Sequence, residues 1–121
     1  MSIVLQPLKT IYEIETEFRA HYPYLRIIFF PGKAREDDVL LEDLSLVNFC
    51  KEWNGKQILI HPFHSVKEVE LIFAQQLQIN VEIKRQQKEG WVETRRSYYL
   101  SLDTQNEMGR LASQVPKSCI Q

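Results

Sequence analysis

Ile58-Leu59-Ile60-His61-Pro62-Phe63-His64-Ser65-Val66-Lys67-Glu68-Val69-Glu70-Leu71-Ile72-Phe73 decides the fold, because the same run of signals stands 55 residues earlier, from Ile3 to Phe18. Laying residues 3–29 on residues 58–84 aligns Ile3 with Ile58, Pro7 with Pro62, Glu13 with Glu68, Glu15 with Glu70, Phe18 with Phe73 and Ile28 with Ile83. Thr10 over Ser65 and Ile14 over Val69 add similar pairs. Each copy independently reads as strand, turn, helix, strand, so the repeat is physical as well as textual.

In the first copy Ile3-Val4-Leu5 is a short apolar strand ended by Pro7. Thr10 can cap a helix whose stripe is Ile11, Ile14, Phe18 and Tyr22. Pro23 stops that helix, since the residue before a proline is pushed out of the α region. Tyr24 to Phe30 then reads as a buried strand up to Pro31-Gly32. The second copy has a strand at 57–61, the cap Ser65, the stripe Val66, Val69, Phe73 and Leu77, and a strand in which Ile79, Val81 and Ile83 alternate with Asn80, Glu82 and Lys84.

Two such copies in tandem predict an α+β fold, a ferredoxin-like βαββαβ sandwich. Residues 84–90 form a polar hairpin connection, and Trp91 to Arg96 a fifth strand paired with residues 79–85. The expected strand order is 5-4-1-3-2, with charged Glu93, Arg95 and Arg96 protecting the edge. Thr104 with Glu107 fits a capping box for a last helix through Met108, Leu111, Ala112 and Val115, stopped by Pro116. The expected helices cover 10–21, 66–77 and 104–114. The expected core is Ile14, Phe18, Ile27, Phe29, Ile58, Ile60, Val69, Phe73, Val81, Ile83 and Leu111.

A chain of 121 residues with 44% hydrophobic and 26% charged residues is long enough for one domain with a core, and too short for two. The single domain is placed at 1–115, with repeat copies at about 1–31 and 57–85, an acidic insertion at 34–55 and a tail at 116–121. Leu40, Leu44 and Val47 permit a short helix in the insertion. No apolar run reaches the 18 or so residues of a membrane span, and the N-terminal residues lack a basic flank and apolar stretch, so the expectation is a cytoplasmic chain that meets no membrane. Cys50 and Cys119 stand in no metal-ligand spacing and read as free thiols.

Little in the sequence suggests catalysis. His61 and His64 are three apart, but Pro62 holds His61 extended and prevents the convergence a helix would give two metal ligands. Cys50, within Leu46-Val47-Asn48-Phe49, reads as a small buried hydrophobe rather than a thiolate paired with His21, His61 or His64. Glu36-Asp37-Asp38 could hold a cation, yet consecutive side chains point apart and such runs stay solvated. Gly32, Gly55, Gly90 and Gly109 are isolated, so no phosphate-cradling loop is spelled. No cofactor or metal is expected, and the chain reads as a non-enzyme.

The strongest patch is Lys84, Arg85, Lys88, Arg95 and Arg96, set against Glu89 and Glu93 and interleaved with Trp91, Tyr98 and Tyr99. Cations and rings together could grip single-stranded nucleic acid. The competing reading is a solvated edge hairpin with Trp91 on the core. A net charge of -1 favours a protein partner or self-association over nucleic acid. The acid-rich stretch 34–55 and the basic stretch 84–96 give the chain the polarity that such contact between chains would use.

Residues 65–109 also carry Val66, Glu68, Glu70 and Phe73, then Val81 to Lys84, then Trp91, Glu93 and Thr94, and finally Leu102, Gln105, Asn106 and Gly109. In these positions the chain resembles the second half of a family of small uncharacterised bacterial proteins; the first half shares only Phe18 and the stretch from Tyr22 to Phe30. Members usually continue the strand before the turn with a second aromatic and a Ser-Gly turn, where this chain has Lys84 to Gly90. The resemblance implies a coherent fold and no activity.

Overall fold

The computed structural model describes residues 2–30, 43–50 and 57–114. Its elements are β1 (Ile3–Leu5), α1 (Ile11–His21), β2 (Leu25–Phe30), a 3-10 turn (Leu46–Asn48), β3 (Ile58–Ile60), α2 (Val66–Leu71) running into a π-helical turn (Ile72–Gln76), β4 (Asn80–Gln87), β5 (Gly90–Glu93), a second 3-10 turn (Arg95–Ser97) and α3 (Leu102–Gln114). This is an α+β fold of three helices and two small antiparallel sheets. No helix among the described residues is long and apolar enough to cross a membrane.

Both repeat helices begin on the same chemistry. The Thr10 hydroxyl accepts the Glu13 backbone N–H at 3.1 Å, and the Glu13 carboxylate accepts the Thr10 backbone N–H at 3.0 Å. Ser65 and Glu68 repeat this at 3.1 and 2.9 Å. Each capping box satisfies two N–H groups that a helix start leaves orphaned. It also holds the Glu13 and Glu68 carboxyls below the ordinary range, chiefly through the backbone N–H they accept. Tyr22, at φ -132 and ψ 78, shows Pro23 forcing its neighbour out of the helix.

β1 pairs with β3, and β2 pairs with β4 over all six of its residues, from Leu25 opposite Arg85 to Phe30 opposite Asn80. β4 turns into β5 at Lys88-Glu89, and Gly90 supplies the positive φ of 133° that the reversal requires. The expected order 5-4-1-3-2 is corrected here, because it sets β2 and β4 three strands apart in one sheet whereas they are adjacent. The expected β1·β3 and β4·β5 neighbours are present. The physical reason for the change is that the buried faces of β2 (Leu25, Ile27, Phe29) and β4 (Val81, Ile83) cover the same core when paired directly.

A pseudo-two-fold relates the copies. Val4 lies opposite its own equivalent Leu59, and Ile28 lies opposite Glu82, so each strand pair straddles the axis. In β2 and β4 the equivalence that keeps buried residues on buried residues is 54, aligning Leu25 with Ile79 and Ile27 with Val81; Ile28 over Ile83 was one residue out of register. The symmetry runs further than the sequence repeat did. Leu44-Ser45-Leu46 bridges the start of α1, with Ile11 N–H donating to the Leu44 carbonyl at 2.9 Å and Leu46 N–H to Lys9 at 3.0 Å. Leu100-Ser101-Leu102 does the same for α2, with Val66 donating to Leu100 at 3.2 Å and Leu102 to His64 at 2.8 Å.

The core gathers Phe18, Phe73, Ile14, Val69, Ile27, Ile60 and Ile83, each at most 1% exposed, with Phe29 and Val81 also buried. Ile58 is only partly buried, and Leu111 is 52% exposed, so both depart from expectation. Helix α3 starts two residues earlier than expected, capped by the Ser101 hydroxyl, which accepts the Thr104 N–H at 3.1 Å. That start turns Leu102, Gln105 and Gly109 inward and Leu111 outward. The expected fifth strand ends at Glu93 because Thr94 turns in, its hydroxyl donating to the Ile83 carbonyl at 2.6 Å. A Leu40–Val47 helix is partly outside the described residues; within them Leu46–Asn48 is a 3-10 turn. The acids 36–38, the 116–121 tail and Cys119 also lie outside them.

Phe73 is fully buried and meets Phe29 edge-on at 5.4 Å between ring centroids. Phe73→Ala should cost about 3 to 5 kcal/mol in denaturant unfolding. A loss below about 1 kcal/mol would place the ring outside the core.

Candidate functional site

The register of β4 and β5 splits the basic hairpin between two faces. Lys84 and Trp91 face outward, Lys84 lying between Arg26 on β2 and Glu93 on β5, and Trp91 opposite Gln86. Trp91 is half-buried, and the Arg19 guanidinium of α1 lies over its ring at 5.6 Å. Arg85 points to the other face. Its Nη1 donates to Gln105 Oε1 at 2.6 Å and to Ser97 Oγ at 3.4 Å. Lys88 sits in the turn, and Arg95 and Arg96 are exposed on the following 3-10 turn. Tyr98 is 38% exposed, with the Lys67 ammonium 5.3 Å over its ring. The expected patch is therefore dispersed rather than a single cationic surface.

Arg85 belongs to the seam that fixes α3. Gln105 is fully buried, yet its amide nitrogen donates to the Ser97 carbonyl at 2.5 Å and hydroxyl at 3.0 Å. Asn106 accepts the Tyr24 N–H at 2.9 Å, and a Cβ on Gly109 would stand 2.8 Å from Tyr24 Cβ and 3.1 Å from Arg85 Cγ. Leu102, Gln105, Asn106 and Gly109 thus form one stripe at helical spacing, set by close packing and buried hydrogen bonds.

Among the described residues, two of the clefts open where a helix meets the edge of a strand. The larger, about 260 Å³, is lined by Glu70 of α2, Val81 and Glu82 of β4, Phe30, Glu93, Thr94, Arg95 and Tyr98. The other, about 200 Å³, is lined by Tyr12, Glu15, Thr16 and Arg19 of α1 with Arg26 and Ile27 of β2. The pseudo-two-fold carries one into the other, since Glu15 is the counterpart of Glu70 and Ile27 of Val81. Their charges differ in sign: three glutamates and one arginine line the first, two arginines and one glutamate the second. Burial raises the Glu70 carboxyl above its ordinary range, against the Ile83 backbone N–H it accepts; Glu82 adds to the rise and Arg95 opposes it. Phe30 and Tyr98 leave ring surface exposed at the acidic cleft.

His61 and His64 do come together, without forming a metal pair. The His61 backbone N–H donates to His64 Nδ1 at 3.0 Å, which occupies that lone pair, and Ser2 Oγ lies 2.6 Å from His61 Nδ1. The His61 ring stacks on exposed Phe63 at 4.8 Å. Among the described residues no group of three or more His, Cys, Asp or Glu could hold a metal ion. Cys50 is buried as read, its Sγ 3.5 Å from the Gln76 carbonyl and away from the histidines' contacts. The sequence missed both clefts because their walls come from separate elements, α1 and β2 in one and four or more in the other.

Burial lowers the His64 pKa, neighbouring His61 adds to this, and Glu68 opposes it. A histidine depressed on folding takes up its proton more readily when unfolded, so its contribution is present above the ordinary value near 6.5 and lost as pH falls below it toward the lower folded value. Stability should therefore decline more steeply as pH falls below about 6.5 in the parent than in His64→Gln, measured by urea unfolding. Equal slopes would show that His64 is not depressed. Comparisons with family models, with curated proteins and with solved structures return no match for this chain.

Proposed function

We propose that the chain is a non-enzymatic protein-interaction module, anchored by the acidic cleft at Glu70, Glu82 and Glu93 and bordered by the outer face of β2, β4 and β5. The observation that carries this reading is a half-buried carboxyl, Glu70, set beside two exposed rings, Phe30 and Tyr98, in a cleft of side-chain size. Carboxylates supply charge-assisted acceptors and rings supply a negative face, so the cleft suits a lysine ammonium or arginine guanidinium of a partner.

Binding of single-stranded nucleic acid is the less supported alternative. Arg85 is committed to Gln105, Arg19 lies on Trp91, and Arg95 borders three glutamates, so two of these cations are already engaged and a phosphate chain would meet acids beside the third. Our reading places the module in the cytoplasm, where Cys50 stays a thiol. It also keeps the ferredoxin-like βαββαβ connectivity, which the order of elements from β1 to β4 and the antiparallel β1·β3 pair support.

A fluorescent peptide alternating lysine with glycine should bind, weaken with added salt, and lose about tenfold in affinity when Glu70 and Glu82 are both changed to Gln. A single-stranded oligonucleotide should show no comparable binding. Tight oligonucleotide binding that collapses in Arg95→Glu/Arg96→Glu, with no peptide binding, would overturn the proposal.

A further inference from the structure

We infer that the partner fitting the acidic cleft is a second copy of this chain, whose own cationic cleft at Arg19 and Arg26 lies against it in a reciprocal dimer. This inference rests on the protein-interaction reading and names its partner. Three observations support it.

The first is the symmetry. The two clefts are pseudo-symmetric, each built where a helix glutamate (Glu15 or Glu70) meets a buried strand residue (Ile27 or Val81). They stand on opposite sides of the axis through Ile28 and Glu82. A two-fold contact demands that one patch meet its complement twice. Two equivalent clefts of opposite sign, on either side of that axis, meet that demand when a second copy is turned face to face.

The second observation concerns the surface between the clefts. The outward residues of β2, β4 and β5 include Arg26 and Lys84 directly opposite one another. Like charges so placed repel across an antiparallel pair. Glu93 beside Lys84 offsets part of this within the chain. Acids from a neighbouring copy would offset more.

The third is the apolar surface available to that contact. Phe30 is 46% exposed, Tyr12 61% and Tyr98 38%, and Ile28 and Trp91 are partly buried. Tyr12 stands at the cationic cleft, and Phe30 and Tyr98 at the acidic one. Aromatic anchors at both ends of a charged strip suit an interface in which rings give area and charges give register.

Sedimentation velocity at low salt should show the chain moving from 14.4 kDa toward twice that mass as concentration rises. Adding salt from about 50 to 500 mM should weaken the association, because screening shortens the reach of exposed charges. Arg26→Glu makes both clefts acidic, and Glu82→Lys/Glu93→Lys makes both cationic. Each variant alone should stay monomeric where the parent dimerises, and a one-to-one mixture should regain the dimer. Circular dichroism confirms that each variant is folded, and the parent's own concentration dependence remains decisive if one is not. A parent that stays monomeric at about 500 µM in low salt, a concentration at which even weak contacts populate, overturns the inference. So does a pair of variants that dimerise as well alone as mixed, or a parent that grows past the dimer into open assemblies. A monomeric parent that still binds the lysine peptide through Glu70 and Glu82 defeats self-pairing alone and leaves the proposed function standing.

Discussion

The pairing of β2 with β4 is the constraint on which the rest of the structure depends. Six consecutive residues of each strand face one another, and the pair Ile28 and Glu82 marks the pseudo-axis. The pairing joins Leu25, Ile27 and Phe29 to Val81 and Ile83 on one buried face, against which Phe18, Phe73 and α3 are packed. Because the face period of a strand is two, a slip of one residue would turn those side chains to water. The register also decides the surface: it places Arg26 and Lys84 together outside and sends Arg85 inward to Gln105.

From that register follow two seams of equal construction and unequal charge. Duplication supplies the same capping box, the same helix glutamate and the same buried strand residue at each seam. What differs is the surface lettering, arginine at 19 and 26 in one copy and glutamate at 82 and 93 near the other. Stability constrains the shared residues, whereas the charges are free to serve recognition.

Much of this architecture was legible in the sequence, for identifiable reasons. Thr10 with Glu13 and Ser65 with Glu68 are local signals, and their capping boxes form where the spacing places them. The strand pair β4·β5 follows from a polar turn between two extended runs. The order of strands was not legible, because the choice between a sheet with β1 and β3 in its middle and a direct β2·β4 pair rests on long-range packing. The start of α3 was misread because its buried stripe is Leu102, Gln105, Asn106 and Gly109, whose polar and small residues hide the apolar period. The tripeptides 44–46 and 100–102 were identical in plain sight, but at an offset of 56 rather than 55. As for the candidate site, Arg95 and Tyr98 do line a cleft, while Arg85 serves the core side, because alternation along β4 was not followed past Lys84.

The most direct measurement concerns the axis itself. In a chain with Cys50 and Cys119 changed to Ser, Ile28→Cys/Glu82→Cys places two thiols directly across β2 and β4. Directly opposed residues have Cα atoms about 4.5 to 5.5 Å apart, within the reach of a disulfide. Mild oxidation at low concentration should therefore give a monomer with an intramolecular link and both thiols consumed, read by mass spectrometry after digestion. In the order 5-4-1-3-2 the same positions lie three strand spacings apart, about 14 Å, beyond any disulfide. Two thiols left free in the folded monomer would contradict the β2·β4 pairing, and with it the pair of symmetry-related clefts.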